Sequence, residues 1–229
     1  MICLYVQAPF AAFRTFTAGY FRPTATFITP SAAYGQLLNI GGIESRFDDG
    51  SSEMTLTRQD LPHVKLALGA LQFPQVQSVF QQVHNYPVGS DAGASYEPFS
   101  RGNKYNITPV RREFLSDVRA YICLDGNPEL EERVKSGLKG EYNSTRYGVP
   151  FLGDNNFMID VLREEVKAEP AYWYEKLSEG DERGLRPRTT RLTIMIDRQN
   201  MAKSTSALFA PTAQPVVDVP ESAWVSIPG

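Results

Sequence analysis

The chain has 229 residues, 42% of them hydrophobic and 21% charged, with a formal net charge of −3. This is too apolar for a disordered chain, and no apolar run is long enough to span a membrane, so a folded domain with a sizeable core is expected. The overall acidity runs against a free-standing nucleic-acid binder, and the two cysteines and two histidines form neither a CxxC nor a Cys/His cluster that would hold zinc.

Residues 2–7 alternate, with Ile2, Leu4 and Val6 on one side, and predict a strand with one buried face. The amino-terminal stretch lacks the basic start and unbroken apolar core of a signal peptide, which leads to a cytoplasmic expectation. A loop over 8–29 follows. A helix is predicted from Pro30, capped by Thr29 or Ser31, with Ala33, Leu37 and Ile40 at helical spacing and Gly41 and Gly42 ending it. "HVKLALGAL" reads as a strand in which Gly69 marks a bulge. The segment 74–109 is a long excursion, strand-like at first and then punctuated by Gly, Ser and Pro.

"FLSDVRAYICL" returns to strand periodicity, with Phe114, Val118, Ala120, Ile122 and Leu124 of one parity. A short helix follows, capped by Asn127, opened by Pro128 and ended by Gly140, with Leu130, Val134 and Leu138 as its apolar stripe. A short strand near Phe157–Leu162 and a last one over "RLTIMIDR" come next. The Pro-rich tail from Pro211 is expected to lie against the surface. Cys3 and Cys123 are read as reduced residues packed in or near the core. Strand–helix–strand–strand–helix–strand is the ferredoxin-like plan, an α+β fold shared with RNA-recognition domains. The expected organisation is a ferredoxin-like body over 1–165, carrying an inserted thumb at about 74–109, and a strand-containing extension over 166–229 packed on it.

Charge is segregated along the chain. No Asp or Glu precedes Glu44, while Arg14 and Arg22 stand among phenylalanines and threonines. Between Arg101 and Arg119 five cations meet two acids, and between Arg183 and Lys203 six cations meet one. Such segregation suits a chain that meets a polyanion on one side. Arginine offers a planar fork for phosphate, aromatic rings offer stacking faces for unpaired bases, and hydroxyls suit phosphate or 2′-OH oxygens. Candidate RNA-binding residues are Phe13, Arg14, Phe16, Arg22, Thr24, Ser31, Lys104, Tyr105, Arg111, Arg112, Arg146 and Tyr147. No nucleophile elbow, phosphate-binding loop, zinc motif or dinucleotide fingerprint is present. No catalytic residue, metal or cofactor is assigned. His63 and His84, with Lys65, Tyr86 and Lys104 near them in sequence, leave open a metal-independent ribonuclease.

The motifs themselves carry a resemblance. "PFAAFRTF" followed by "TATFITPSAAYGQLLNIGG" is similar to the amino-terminal signature of the Cas five family, a subunit of type I CRISPR Cascade complexes. The matching residues are Pro9, Ala11 or Ala12, Phe13 and Arg14, then Pro30, Ser31, Gly35 and Leu37. "TPVRREFLSDVRAYICL" matches on Arg111, Arg112, Glu113, Leu115 and Asp117, and "RYGVPFLGDNNF" on Tyr147, Pro150, Leu152 and Gly153. The three motifs span residues 1 to about 160. The resemblance implies a non-catalytic subunit that caps the 5′ handle of the guide CRISPR RNA, beside the Cascade backbone and large subunits and near the flanking motif of target DNA, with no membrane involved. In one subtype of that family the subunit cuts precursor RNA with a tyrosine, a lysine and a histidine. Neither His63 nor His84 falls within a matched motif, so an endoribonuclease is the alternative.

Overall fold

A computed structural model describes the chain except residues 16, 18, 19, 53, 54, 84–107, 142–147, 179–185 and 229. Its main feature is a ten-stranded, largely antiparallel sheet. β1 (Ile2–Ala11) leads to the two-residue β2 (Phe21–Arg22) and then to α1 (Pro30–Ile40). The small strands β3 (Arg46–Phe47) and β4 (Leu56–Thr57) pair with each other. β5 (Val64–Gln72), β6 (Gln75–Val83) and the 18-residue β7 (Thr108–Asp125) follow, then α2 (Pro128–Lys139) and β8 (Val161–Glu164). The remaining strands are β9 (Tyr172–Lys176), β10 (Thr190–Met195), β11 (Thr205–Pro211) and β12 (Val225–Ile227). The path across the sheet is β10-β11-β9-β5-β7-β1-β8, with β12 joined to β5 and both β2 and β6 to β7.

The helices form where their caps predict. Thr29 Oγ1 accepts a hydrogen bond from the Ala32 amide at 3.2 Å, and Asn127 Oδ1 accepts from Leu130 at 2.9 Å, so each start satisfies an otherwise orphaned donor. Gly140 ends α2 in the left-handed region at φ 76°. Gly41 ends α1 where α2 crosses it: a Cβ there would lie 3.0 Å from Leu130 Cδ1. Arg133 of α2 donates through Nε to the Gly41 carbonyl at 2.9 Å and so satisfies one of the free acceptors at the end of α1.

Both helices contribute to one core with the sheet. Leu37, Leu38, Ile40, Leu130 and Val134 join Ile2, Leu4, Val6, Leu66, Leu68, Val118, Ile122 and Leu124, all buried. Leu37→Ala should therefore cost about 2–5 kcal/mol. A denaturant midpoint equal to that of the wild type would show that α1 does not anchor this core.

Four expectations change. Phe114 does not share the buried side of Val118: Asp117 takes φ 56°, the side-chain parity of β7 shifts there, and Leu115 enters the core instead. Gly69 is not a bulge. The register of β5 on β7 shifts between Ala70 and Gln72, and Gly69 is required because Trp173 covers it, with ring carbons 2.9 Å from where a Cβ would stand. Cys3 and Cys123 are not separate thiols. They are directly opposed on β1 and β7, with Cα atoms 4.0 Å apart, and form a disulfide. The tail does not simply lie on the surface: β12 adds to the edge of β5 and buries Val225 and Ile227. The strand-like start of the excursion is β6, which pairs residue by residue with β7 from Gln75↔Ser116 to Val83↔Thr108. The rest of the excursion, 84–107, lies outside the described residues.

Candidate nucleic-acid interface

The outer half of β7 gathers the basic residues. β2 runs parallel to it on one edge, with Phe21 opposite Arg111 and Arg22 opposite Arg112. β6 lies on the other edge, with Phe80 opposite Arg111 and Val79 opposite Arg112. Directly opposed residues of neighbouring strands share a face. One face therefore carries Phe21, Arg111 and Phe80 side by side, and the other carries Arg22 and Arg112. The Arg111 guanidinium lies over the Phe21 ring at 5.8 Å and donates to Ser78 Oγ at 3.3 Å. Its backbone amide donates to the Tyr20 carbonyl at 3.0 Å, which ties the loop after β1 to β7. Tyr20, Phe21 and Phe80 are all exposed.

Arg14 reaches this group through a third segment. Residues 13–14 and 24–25 close a small bridge: the Phe13 amide donates to Thr24 Oγ1 at 2.9 Å, and the Ala25 amide to the Phe13 carbonyl at 2.8 Å. The loop is held from below by the 150–158 segment, where the Ala12 amide donates to the Leu152 carbonyl at 3.1 Å. Gly153 makes the junction possible, with φ 77° and no room for a side chain, since a Cβ would stand 2.1 Å from the Ala12 carbonyl oxygen. Asp154 follows directly and meets two guanidinium groups, Arg14 Nη2 at 3.4 Å and Arg112 Nη2 at 3.9 Å from its Oδ2. Its Oδ1 accepts from the backbone amide of Asn156 at 3.1 Å and from the Asn156 side chain at 2.7 Å. Burial alone would push the Asp154 carboxyl up. The Asn156 hydrogen bonds, with Arg112 and Arg14, outweigh it and hold the group below its ordinary value.

Arg14, Arg22 and Arg112 thus come together from positions nearly a hundred residues apart, with Arg111 on the opposite face of β7, and the outer part of β7 also carries Phe114. That ring meets Phe10 at 5.4 Å and Phe157 at 6.0 Å, and Phe10 and Phe157 lie 6.2 Å apart. Phe10 stays 44% exposed. Other candidates sit elsewhere in this geometry. Phe13 is a core residue, and Thr24 is buried with its hydroxyl spent on the Phe13 amide and the Ala25 carbonyl, so both build the loop and neither faces solvent. Ser31 is half-buried in the first turn of α1, its Oγ 3.2 Å from Thr29 Oγ1. Phe16, Lys104, Tyr105, Arg146 and Tyr147 lie outside the described residues. Asp154, Phe114 and Phe157 are not among the candidates, although all three lie within the matched stretches. The acid lies 140 positions from Arg14, and the kink at Asp117 is what turns Phe114 outward.

A family model described as "CRISPR-associated protein (Cas_Cas5)" matches residues 1–208. The chain belongs to that family. Membership reaches well past residue 160, where the legible motifs stop, and takes in β9, β10 and part of β11. Among solved structures the chain is similar to a "CRISPR RNA-guided surveillance complex" protein, with a TM-score of 0.59 at 14% identity over 94% of this chain and 91% of that one. A second structure, "Crystal structure of Cas protein", has a TM-score of 0.48 at 14% identity, covering 93% of this chain and 94% of that one. A search of curated proteins found no match. The fold that Cas5 proteins share with this chain is a mixed α/β arrangement around a large antiparallel sheet.

The other features of the chain offer less chemistry. His63 and Lys65 line one shallow depression with Val64, Gly126, Ser226, Ile227 and Pro228, and among the described residues no tyrosine borders it. His84 and Tyr86 lie outside the described residues. Among the described residues, no group of three or more His, Cys, Asp or Glu is arranged to hold a metal ion, and no helix is long and apolar enough to cross a membrane.

Proposed function

We propose that the chain is a non-catalytic RNA-binding subunit of a type I CRISPR surveillance complex and caps the 5′ handle of the guide RNA. The observation that carries this reading is that Arg14, Arg22 and Arg112 come together on one face of outer β7, with exposed Phe10 near them, while Arg111 stands with exposed Phe21 and Phe80 on the other face. Guanidinium groups suit the phosphates of a single strand, and the neighbouring rings suit its unpaired bases. Membership of the Cas5 family and the likeness to a surveillance-complex protein support it. The strand order β8-β1-β7-β5, with α1 after β1 and α2 after β7, is that of a ferredoxin-like body and supports that finer reading of the fold. The backbone and large subunits of such a complex, and target DNA near the flanking motif, are its proposed neighbours, and the cytoplasm is its proposed place.

A direct test incubates the full chain with RNA of the cognate repeat in EDTA. The expected result is salt-sensitive binding to the 5′-handle segment with the RNA left intact. Specific cleavage that is lost in His63→Ala or His84→Ala would replace this reading with that of a metal-independent endoribonuclease. Absence of binding at low salt would remove RNA from the function.

A further inference from the structure

Asp154 is the anomaly in this surface. A carboxylate at the centre of an anion-binding site should weaken it, yet this one is built in. Its side chain is 7% exposed, Gly153 locks its segment against Ala12, and Asn156 occupies one of its oxygens with two hydrogen bonds. The other oxygen faces Arg14 at 3.4 Å and Arg112 at 3.9 Å. Neither distance is short for a charge-assisted contact. Both guanidinium groups remain partly open to solvent, with side chains 60% and 33% exposed. Two cations share one fixed, buried anion and, among the described residues, their outer sides remain open to solvent. The group carries one net positive charge, matched to one phosphodiester.

Resting on the RNA-binding reading above, we infer that Asp154 is a positioning residue that holds Arg14 and Arg112 together as a two-pronged clamp for a single backbone phosphate. Without it, two long side chains of like charge would repel and each would lose rotamer freedom on binding. With it, that ordering is already present in the free chain. The opposing effect is repulsion between Asp154 and the incoming phosphate. The phosphate would stand on the outer side of the guanidinium groups, where water and salt screen it. On the inner side, the carboxylate is buried and stands closer to both guanidinium groups than solvent does, so positioning outweighs repulsion.

The inference makes a prediction of sign. If Asp154 were merely a negative charge near the site, removing that charge would tighten RNA binding. If it positions the arginines, Asp154→Asn should weaken binding, by roughly three- to thirtyfold. The experiment titrates a fluorescent single-stranded RNA of repeat sequence with the full chain at several salt concentrations, as wild type, Asp154→Asn, Arg14→Ala and the double variant, with melting followed in parallel. Expected are weaker binding by Asp154→Asn, near-native melting, and a smaller loss from Arg14→Ala in the Asp154→Asn background than in the wild type. Asp154→Asn binding as well as wild type or better overturns the inference and leaves the RNA-binding reading standing, as do strictly additive losses. A wild-type chain that binds no RNA overturns both. If Asp154→Asn melts early, Arg14→Ala and Arg112→Ala replace it: two prongs on one phosphate give a joint loss smaller than the product of the single losses, and a joint loss equal to that product overturns the clamp.

Discussion

Trp173→Ala is expected to destabilise the chain by about 3–5 kcal/mol. For a chain of this length that corresponds to a fall in melting temperature of roughly 6–20 °C. Trp173 stands on β9, the strand through which the carboxy-terminal part of the chain joins β5. Trp173 is 1% exposed, covers Gly69, and stacks at 6.1 Å from Tyr121 with an interplanar angle of 22°. Its Nε1 donates to the Val216 carbonyl at 3.0 Å. Truncation would leave a cavity between two strands and strip a carbonyl of its donor, two costs that add. Ala67, Ala171 and Ala223 line the same small core and have little volume with which to close the gap. Chemical denaturation followed by circular dichroism is the measurement. A midpoint within error of the wild type would show that the carboxy-terminal strands are held without this ring.

The second large effect is on RNA. Replacing Arg14 and Arg112 together by alanine should weaken handle binding by on the order of a hundredfold, since each charge-assisted contact contributes about 1.5–3 kcal/mol and the two overlap on one phosphate. The slope of log K against log salt should flatten by about 0.7, as for one phosphate on a single strand, and not by about 1.4, as for two. The loss should be the same for handles of altered base sequence, because a phosphate carries no base identity. Folding should change less than binding. Arg14 is mostly exposed, and an exposed ion pair at 3.4 Å contributes little to stability. Asp154 would keep its two hydrogen bonds from Asn156, which limits the cost of leaving a buried carboxylate without cations. Affinity measured at four salt concentrations with native and base-substituted handles decides the matter. Base-dependent loss with an unchanged salt slope would mean that these arginines read bases, and unchanged affinity would remove them from the interface.

Local chemistry determined much of this protein by sequence alone. The caps at Thr29 and Asn127, the prolines behind them and the glycines at 41 and 140 act within one or two helical turns, so both helices are legible with their ends. The alternation of Ile2, Leu4 and Val6 marks β1 because one face of that strand meets the helices along its length. Arg14, Arg22, Arg111 and Arg112 stand out as cations in segments poor in acid. What the sequence could not contain is what depends on distant partners. The acid-free character of the amino-terminal segment ends in space, where Asp154 folds against Arg14 across 140 positions. The disulfide joins residues 120 apart because two strands pair in one register. β12 is three residues long, too short for periodicity, and exists because β5 offers it an open edge. The kink at Asp117 reverses side-chain parity in a single residue, turning Leu115 inward and Phe114 outward. Such a reversal leaves no trace in composition or spacing, since one left-handed residue is enough to produce it and the packing of β7 against its neighbours holds it in place.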